Sequence, residues 1–123
     1  MQLFTRYAAL PTQSLDKLLA IATRKCFMKG ELLLQAGKVE NTLYILEKGL
    51  VKAYETRADG HDVIFWFGME GDVVLSMNSY VNQQPGYENV GILEDNSTVW
   101  SFPIMQLSEL YESDIHLANW GRR

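Results

Sequence analysis

"MKGELLLQAGKVENTLYILEKGLVKAYE", residues 28–55, is the stretch whose reading decides the fold. Short strand-like runs at 32–34, 43–46 and 51–54 alternate with turns at Gly30, Gly37 and Gly49. Each run is too short for a stable helix, and the glycines fall at turn spacing. The next run, "HDVIFWF" (61–67), follows Asp59-Gly60. Asp-Gly tolerates positive φ at both turn positions, so the pair predicts a β-hairpin with a type I′ turn. Short strands repeating in this way predict a sandwich, barrel or jelly roll, not strand–helix–strand units.

Upstream of that stretch, Leu15, Leu18, Leu19 and Ala22 stand at i, i+3, i+4 and i+7, the stripe of an amphipathic helix. Thr12, after Pro11, is its expected N-cap, and the helix is expected over 12–24. Cys26 then precedes Phe27 in an apolar run and is expected to be buried and inert. Downstream, Val73, Val74, Met77, Tyr80 and Val81 repeat at helical spacing in "DVVLSMNSYV", with Asp72 as the expected cap and an apolar face to bury. Residues 83–87, with Pro85-Gly86, read as a loop. "ENVGILED" and "STVWSFP" return to strand texture, with Trp100 and Phe102 on one face. Pro103 suits the first position of another helix with Ile104, Leu107, Leu110 and Tyr111 as its stripe. Ser113 is the expected cap of the final segment, "DIHLANWGRR". That segment ends after barely two turns, so the chain is expected to be a piece of a longer one. The reading is one domain: helix 12–24, β-roll 25–102, helices 103–123.

Composition narrows the function. No apolar run approaches a membrane span, and the start lacks a signal peptide's apolar core. A single cysteine suits a reducing cytoplasm and cannot alone build a thiolate metal cage. Net charge is −4, but unevenly spread: residues 58–121 hold ten Asp and Glu and no Lys or Arg. Such a surface is poorly suited to nucleic acid, whose phosphates are met by Lys and Arg. His61 beside Asp62 reads as a solvated hairpin, and with His116 as the only other histidine no metal set is recognisable. There is no Ser/His/Asp arrangement, P-loop or carboxylate pair in a catalytic setting, so the chain is read as a non-enzyme without a cofactor. Phe65, Trp66 and Phe67 lie consecutively on one strand, so both of its faces need cover, one inside the roll and one against terminal helices or a second subunit.

With these motifs in place, residues 12–123 resemble the cyclic nucleotide-binding domain of the Crp/Fnr transcription regulators. The resemblance is carried by Lys29-Gly30-Glu31, Gly37 and the Gly49 that follows "LYILEK", with "GILEDNSTVWSFP" similar to the closing strands. It implies a double-stranded β-helix, or jelly roll, that senses a small-molecule effector. It also implies a homodimer in the full-length regulator, with DNA read by a C-terminal helix-turn-helix domain that this chain lacks. In the family, a Gly-Glu pair and a later Arg of the phosphate-binding cassette hold ribose and cyclic phosphate. Here Leu75-Ser76 stand where Gly-Glu belongs, and Gly86 or Tyr87 where the Arg belongs. "SYVNQQPGYE" (79–88) looks like the "SFL–GxPxPY" pattern of a Bacteroidetes-like subset of such regulators. Losing a charge-assisted phosphate contact, at roughly 1.5–3 kcal/mol per hydrogen bond, removes factors of ten in affinity. The expectation is a cassette of the usual shape that does not bind cyclic AMP or cyclic GMP in the usual way. The candidate pocket comprises Leu75, Ser76, Met77, Asn78, Gly86, Tyr87, Glu88 and Asn89, suited to a neutral or cationic effector. The alternative is a stand-alone small-ligand-binding or cupin-like β-roll protein.

Overall fold

The computed structural model describes residues 12–115. Helix α1 (Thr12–Ile21) leads into β1 (Thr23–Phe27), β2 (Leu32–Leu34), β3 (Thr42–Lys48), β4 (Val51–Thr56), β5 (Asp62–Gly68) and β6 (Val73–Val74). Helix α2 (Met77–Asn82) joins these to β7 (Asn89–Ile92) and β8 (Ser97–Pro103), and α3 (Ile104–Ser113) follows. The strands make two antiparallel four-stranded sheets, ordered β1-β8-β3-β6 and β2-β7-β4-β5. This is the jelly-roll arrangement expected from the short glycine-bounded runs.

Period-two alternation creates the first core. Leu34, Leu46, Val51, Val74, Val90 and Val99 come from both sheets, and each is at most 2% exposed. The opposite face of the first sheet makes a second core, in which Ile45 and Phe102 meet Leu18 of α1 and Leu107 of α3. Leu15, Leu19 and Ala22 pack around it, so the expected stripe of α1 is the face that docks. A buried polar contact fastens the two helices. Ser14 Oγ donates to Asp114 Oδ2 at 2.8 Å, with Lys17 Nζ 3.4 Å from the same oxygen.

Gly49 is needed at its corner for two reasons. Its φ is +122°, and a Cβ there would collide with the Ser97 side chain. Gly30 and Gly37 also turn the chain at positive φ.

Several local expectations need correction. Helix α1 ends at Ile21, three residues early, because residues from Thr23 onward are drawn into pairing with β8. Cys26 is exposed. It lies on an edge strand, where alternation turns Phe27 toward the inter-sheet core and leaves Cys26 on the other face. The hairpin at Asp59-Gly60 forms, but not as a two-residue type I′ turn. Its loop spans residues 57–61, with Gly60 N–H donating to Arg57 C=O and only Gly60 at positive φ. Pro103 is the N-cap of α3, one position earlier than expected, and Ile104 N–H donates to Asn41 C=O. On β5, Trp66 packs on the inter-sheet core as alternation requires. Phe65 and Phe67, expected to be covered, are 44% and 55% exposed. The final segment expected after Ser113 lies, from residue 116, outside the described residues. Among the described residues no helix is long and apolar enough to cross a membrane.

Candidate functional site

The candidate residues lie on the connection from β6 to β7. Its expected helix over 72–81 is shorter than its apolar spacing suggests. Val73-Val74 is strand β6, held against Tyr44 and Ile45 of β3, and Leu46 N–H donates to Asp72 C=O. Asp72 does not cap the helix: its Oδ2 accepts the N–H of Met69 at 2.8 Å. Ser76 is the N-cap, accepting from Ser79 N–H, and Gln83 closes α2 in the left-handed region.

The apolar face expected of this helix is not its anchor. Val73, Tyr80 and Val81 are 47%, 45% and 62% exposed. What α2 buries is Ser79, at 2%. Its hydroxyl donates to Gln84 C=O at 2.8 Å and accepts the N–H of Glu40 at 3.0 Å. One hydroxyl therefore joins the helix, its following loop and the turn after β2. Ser79 lies outside the candidate set, because nothing in the local sequence marks a serine as buried.

Ser76, Asn78 and Gly86 come together. Asn78 Nδ2 donates to Pro85 C=O at 2.8 Å, folding the loop back over the helix start. Gly86 is buried, and a Cβ on it would sit 2.6 Å from Ser76 Oγ. A side chain at position 86 would therefore have to displace the Ser76 hydroxyl. Gly86 also bonds reciprocally with the turn after β2: Gly37 N–H donates to its C=O at 2.8 Å, and its own N–H donates to Lys38 C=O at 3.1 Å. The same turn uses Asn89, whose Oδ1 accepts the N–H of Ala36 at 2.9 Å. Lys38 thus joins this loop through its backbone carbonyl, although the loop's own stretch of sequence holds no Lys or Arg.

The remaining candidates are spread around this centre. Tyr87 is 67% exposed, while Leu75 and Glu88 are half-buried and Met77 starts α2. Burial raises the pKa of the Glu88 carboxyl above its ordinary value. Burial, with Tyr80 of α2 adding to it, pushes the Tyr111 hydroxyl of α3 up to about 12. Tyr111 is therefore a neutral phenol at physiological pH. At the far hairpin, Asp59 is held below its usual value mainly by the N–H of His61, a turn contact in the open. Among the described residues, no three His, Cys, Asp or Glu side chains gather to hold a metal ion.

This geometry has recognisable relatives. The sequence profile of the cyclic nucleotide-binding domain matches residues 24–114. A comparison with the sequences of curated proteins gives no significant match. Among solved structures, the chain is similar to the sensor domain of the transcriptional regulator DNR from Pseudomonas aeruginosa. There the TM-score is 0.77 at 19% identity, covering 96% of this chain and 76% of the other. It is similar to the catabolite activator protein of Thermus thermophilus, at TM-score 0.75 and 18% identity over 98% of this chain. This chain spans only 54% of that protein's length. A third similar structure is the regulatory subunit of a cAMP-independent protein kinase A from Trypanosoma brucei, at TM-score 0.69 and 18% identity, covering 89% of this chain and 40% of the other. At these identities the structures speak for the fold. The profile, matching most of the chain along the roll and the cassette just described, establishes that the chain belongs to the cyclic nucleotide-binding domain family.

Proposed function

We propose that the chain is the effector-sensing domain of a Crp/Fnr-type transcription regulator whose cassette does not hold a cyclic phosphate in the usual way. The observation that carries this reading is the tight approach of Gly86 to Ser76, where the family places its phosphate-binding arginine. The alternative alignment puts that arginine at Tyr87, a neutral side chain turned largely to solvent. Ser76, Asn78 and Asn89 also spend hydrogen bonds on holding the loop closed. The name of the Trypanosoma relative supports the idea that this fold serves without cyclic AMP.

The role is binding and signalling, not catalysis, in a cytoplasmic protein. The full-length regulator works as a homodimer and reads DNA through a separate helix-turn-helix domain. The candidate pocket, around Ser76, Asn78, Gly86, Glu88 and Asn89, takes a neutral or cationic effector.

Thermal unfolding tests this. A ligand at a hundredfold excess over its dissociation constant stabilises a protein by about 2.7 kcal/mol. Millimolar cyclic AMP or cyclic GMP is expected to leave Tm unchanged. A rise of several degrees with either nucleotide, abolished by Ser76→Arg, overturns the reading of the cassette.

A further inference from the structure

Strand β5 lies at the edge of its sheet, paired among the described residues only with β4. Its other side therefore presents backbone N–H and C=O groups without a strand partner, a template for another chain. The other edges are protected or brief. β6 has two residues and β2 three, while β1 carries Arg24 and Lys25. β5 has seven residues, with no Lys, Arg or Pro.

Exposed apolar side chains gather here. Ile64, Phe65, Phe67 and the adjoining Met69 are all 44–60% exposed. They come from one short stretch, whose only charged residue between 62 and 69 is Asp62. The register places Ile64 opposite Tyr54 and Phe67 opposite Lys52, while a bulge leaves Phe65 without a direct partner. Lys52 lies over the Tyr54 ring, 4.8 Å from its centroid, so this cation is already engaged with the sheet face.

Charge decides among occupants. From 51 to 72 there are five carboxylates, Glu55, Asp59, Asp62, Glu70 and Asp72, against Lys52 and Arg57. Carboxylates flank β5 at both ends, with the apolar run between them. A second copy would bring like charge to like charge. A strand with an apolar centre and basic flanks meets both features at once.

We propose that the free edge of β5 is a docking site for an extended segment of a partner protein, apolar in the middle and rich in Lys or Arg at its ends. The segment adds to the sheet by backbone pairing and covers Ile64, Phe65 and Phe67. This surface is separate from the effector pocket and does not rest on the proposal for it.

The test uses the 123-residue chain and a fluorescent peptide that alternates valine and threonine between paired terminal arginines. The expected result is saturable binding that weakens as salt rises, with amide exchange slowed along β5. Glutamates in place of the arginines, or a proline at the peptide's centre, are each expected to weaken binding at least about tenfold. The variants Phe67→Lys and Ile64→Thr should lose binding while keeping the parent's circular dichroism and melting curve. Equal binding of the arginine and glutamate peptides, undiminished binding of the proline peptide, or no binding at all overturns the proposal. So does a β5-dependent dimer of the chain that excludes the peptide, since a second copy would then be the occupant.

Discussion

The core between the sheets and the cassette that links β6 to β7 are neighbours in the chain, yet they are held by different kinds of contact. The core is apolar, with Leu46, Val51, Val74 and Val90 all at 0% exposure. The cassette buries Ser79 and leaves Tyr80 and Val81 largely to solvent. Apolar burial is non-directional and scales with area, so many side-chain sets of the right volume serve it. A hydrogen-bonded loop is directional, and each donor matters individually. In the cassette, Ser76, Asn78 and Ser79 close the loop by bonds to its own backbone.

The largest effect is expected on the apolar side of this comparison. Phe102 is fully buried between Leu18, Ile45 and Leu107. Phe102→Ala removes the side chain that joins both helices to the first sheet, and burial losses of this kind cost about 3–5 kcal/mol. Urea unfolding should show the whole chain destabilised in one transition, with the helices lost together with the sheet. If α1 and α3 melt separately while the sheets persist, the second core is not what couples them.

A smaller and more local loss is expected at Ser79. Ser79→Ala leaves the Glu40 N–H and the Gln84 C=O without the hydroxyl that joins them. An unsatisfied buried group costs about 1–3 kcal/mol, here drawn from the loop more than from the sheets. Hydrogen exchange should accelerate at Glu40 and along α2 while the strand amides of β4 and β7 stay protected. Equal acceleration in β4 and β7 would make the serine part of the common core and dissolve the distinction.

The same contrast explains what the sequence discloses. Gly30, Gly37 and Gly49 are legible because positive φ is a local demand met by one residue type, and the alternating runs between them declare their buried face. The stripe Leu15, Leu18, Leu19 and Ala22 is legible for the same reason. Val73-Val74 misleads because a valine pair fits a helix start and a strand equally well. Its pairing with Tyr44 and Ile45, nearly thirty residues away, decides the matter. The exposure of Cys26 and of Phe65 and Phe67 follows from lying on sheet edges, which is a property of topology and not of local spacing. At the candidate site, Ser76 and Gly86 stand out in the sequence, but the reciprocal bonds of Gly86 with Gly37 and Lys38 join residues almost fifty apart. Counting charges along 58–121 therefore misses Lys38. Ser79 is hidden because serine carries no burial signal of its own.

The smallest effect belongs to Glu88, the half-buried carboxylate of the cassette. Burial raises its pKa above the ordinary 4.5, so the folded protein holds the proton more tightly than the unfolded chain does. As pH rises through the window from the unfolded to the folded pKa, stability falls, and the cost is fully present at neutral pH. Partial exposure screens that cost to a fraction of a kcal/mol. Glu88→Gln removes the charge while keeping the shape, so Tm at pH 7 should rise by roughly a degree. The gap should close as pH drops below the unfolded value, where the wild-type carboxyl is also neutral. On the proposed reading, such a carboxylate, in a loop otherwise closed by its own hydrogen bonds, is open to pairing with a cationic or donor-bearing ligand. A fall in Tm on Glu88→Gln at pH 7 would reverse the sign, make Glu88 another structural tie of the cassette, and remove that support for a cationic effector.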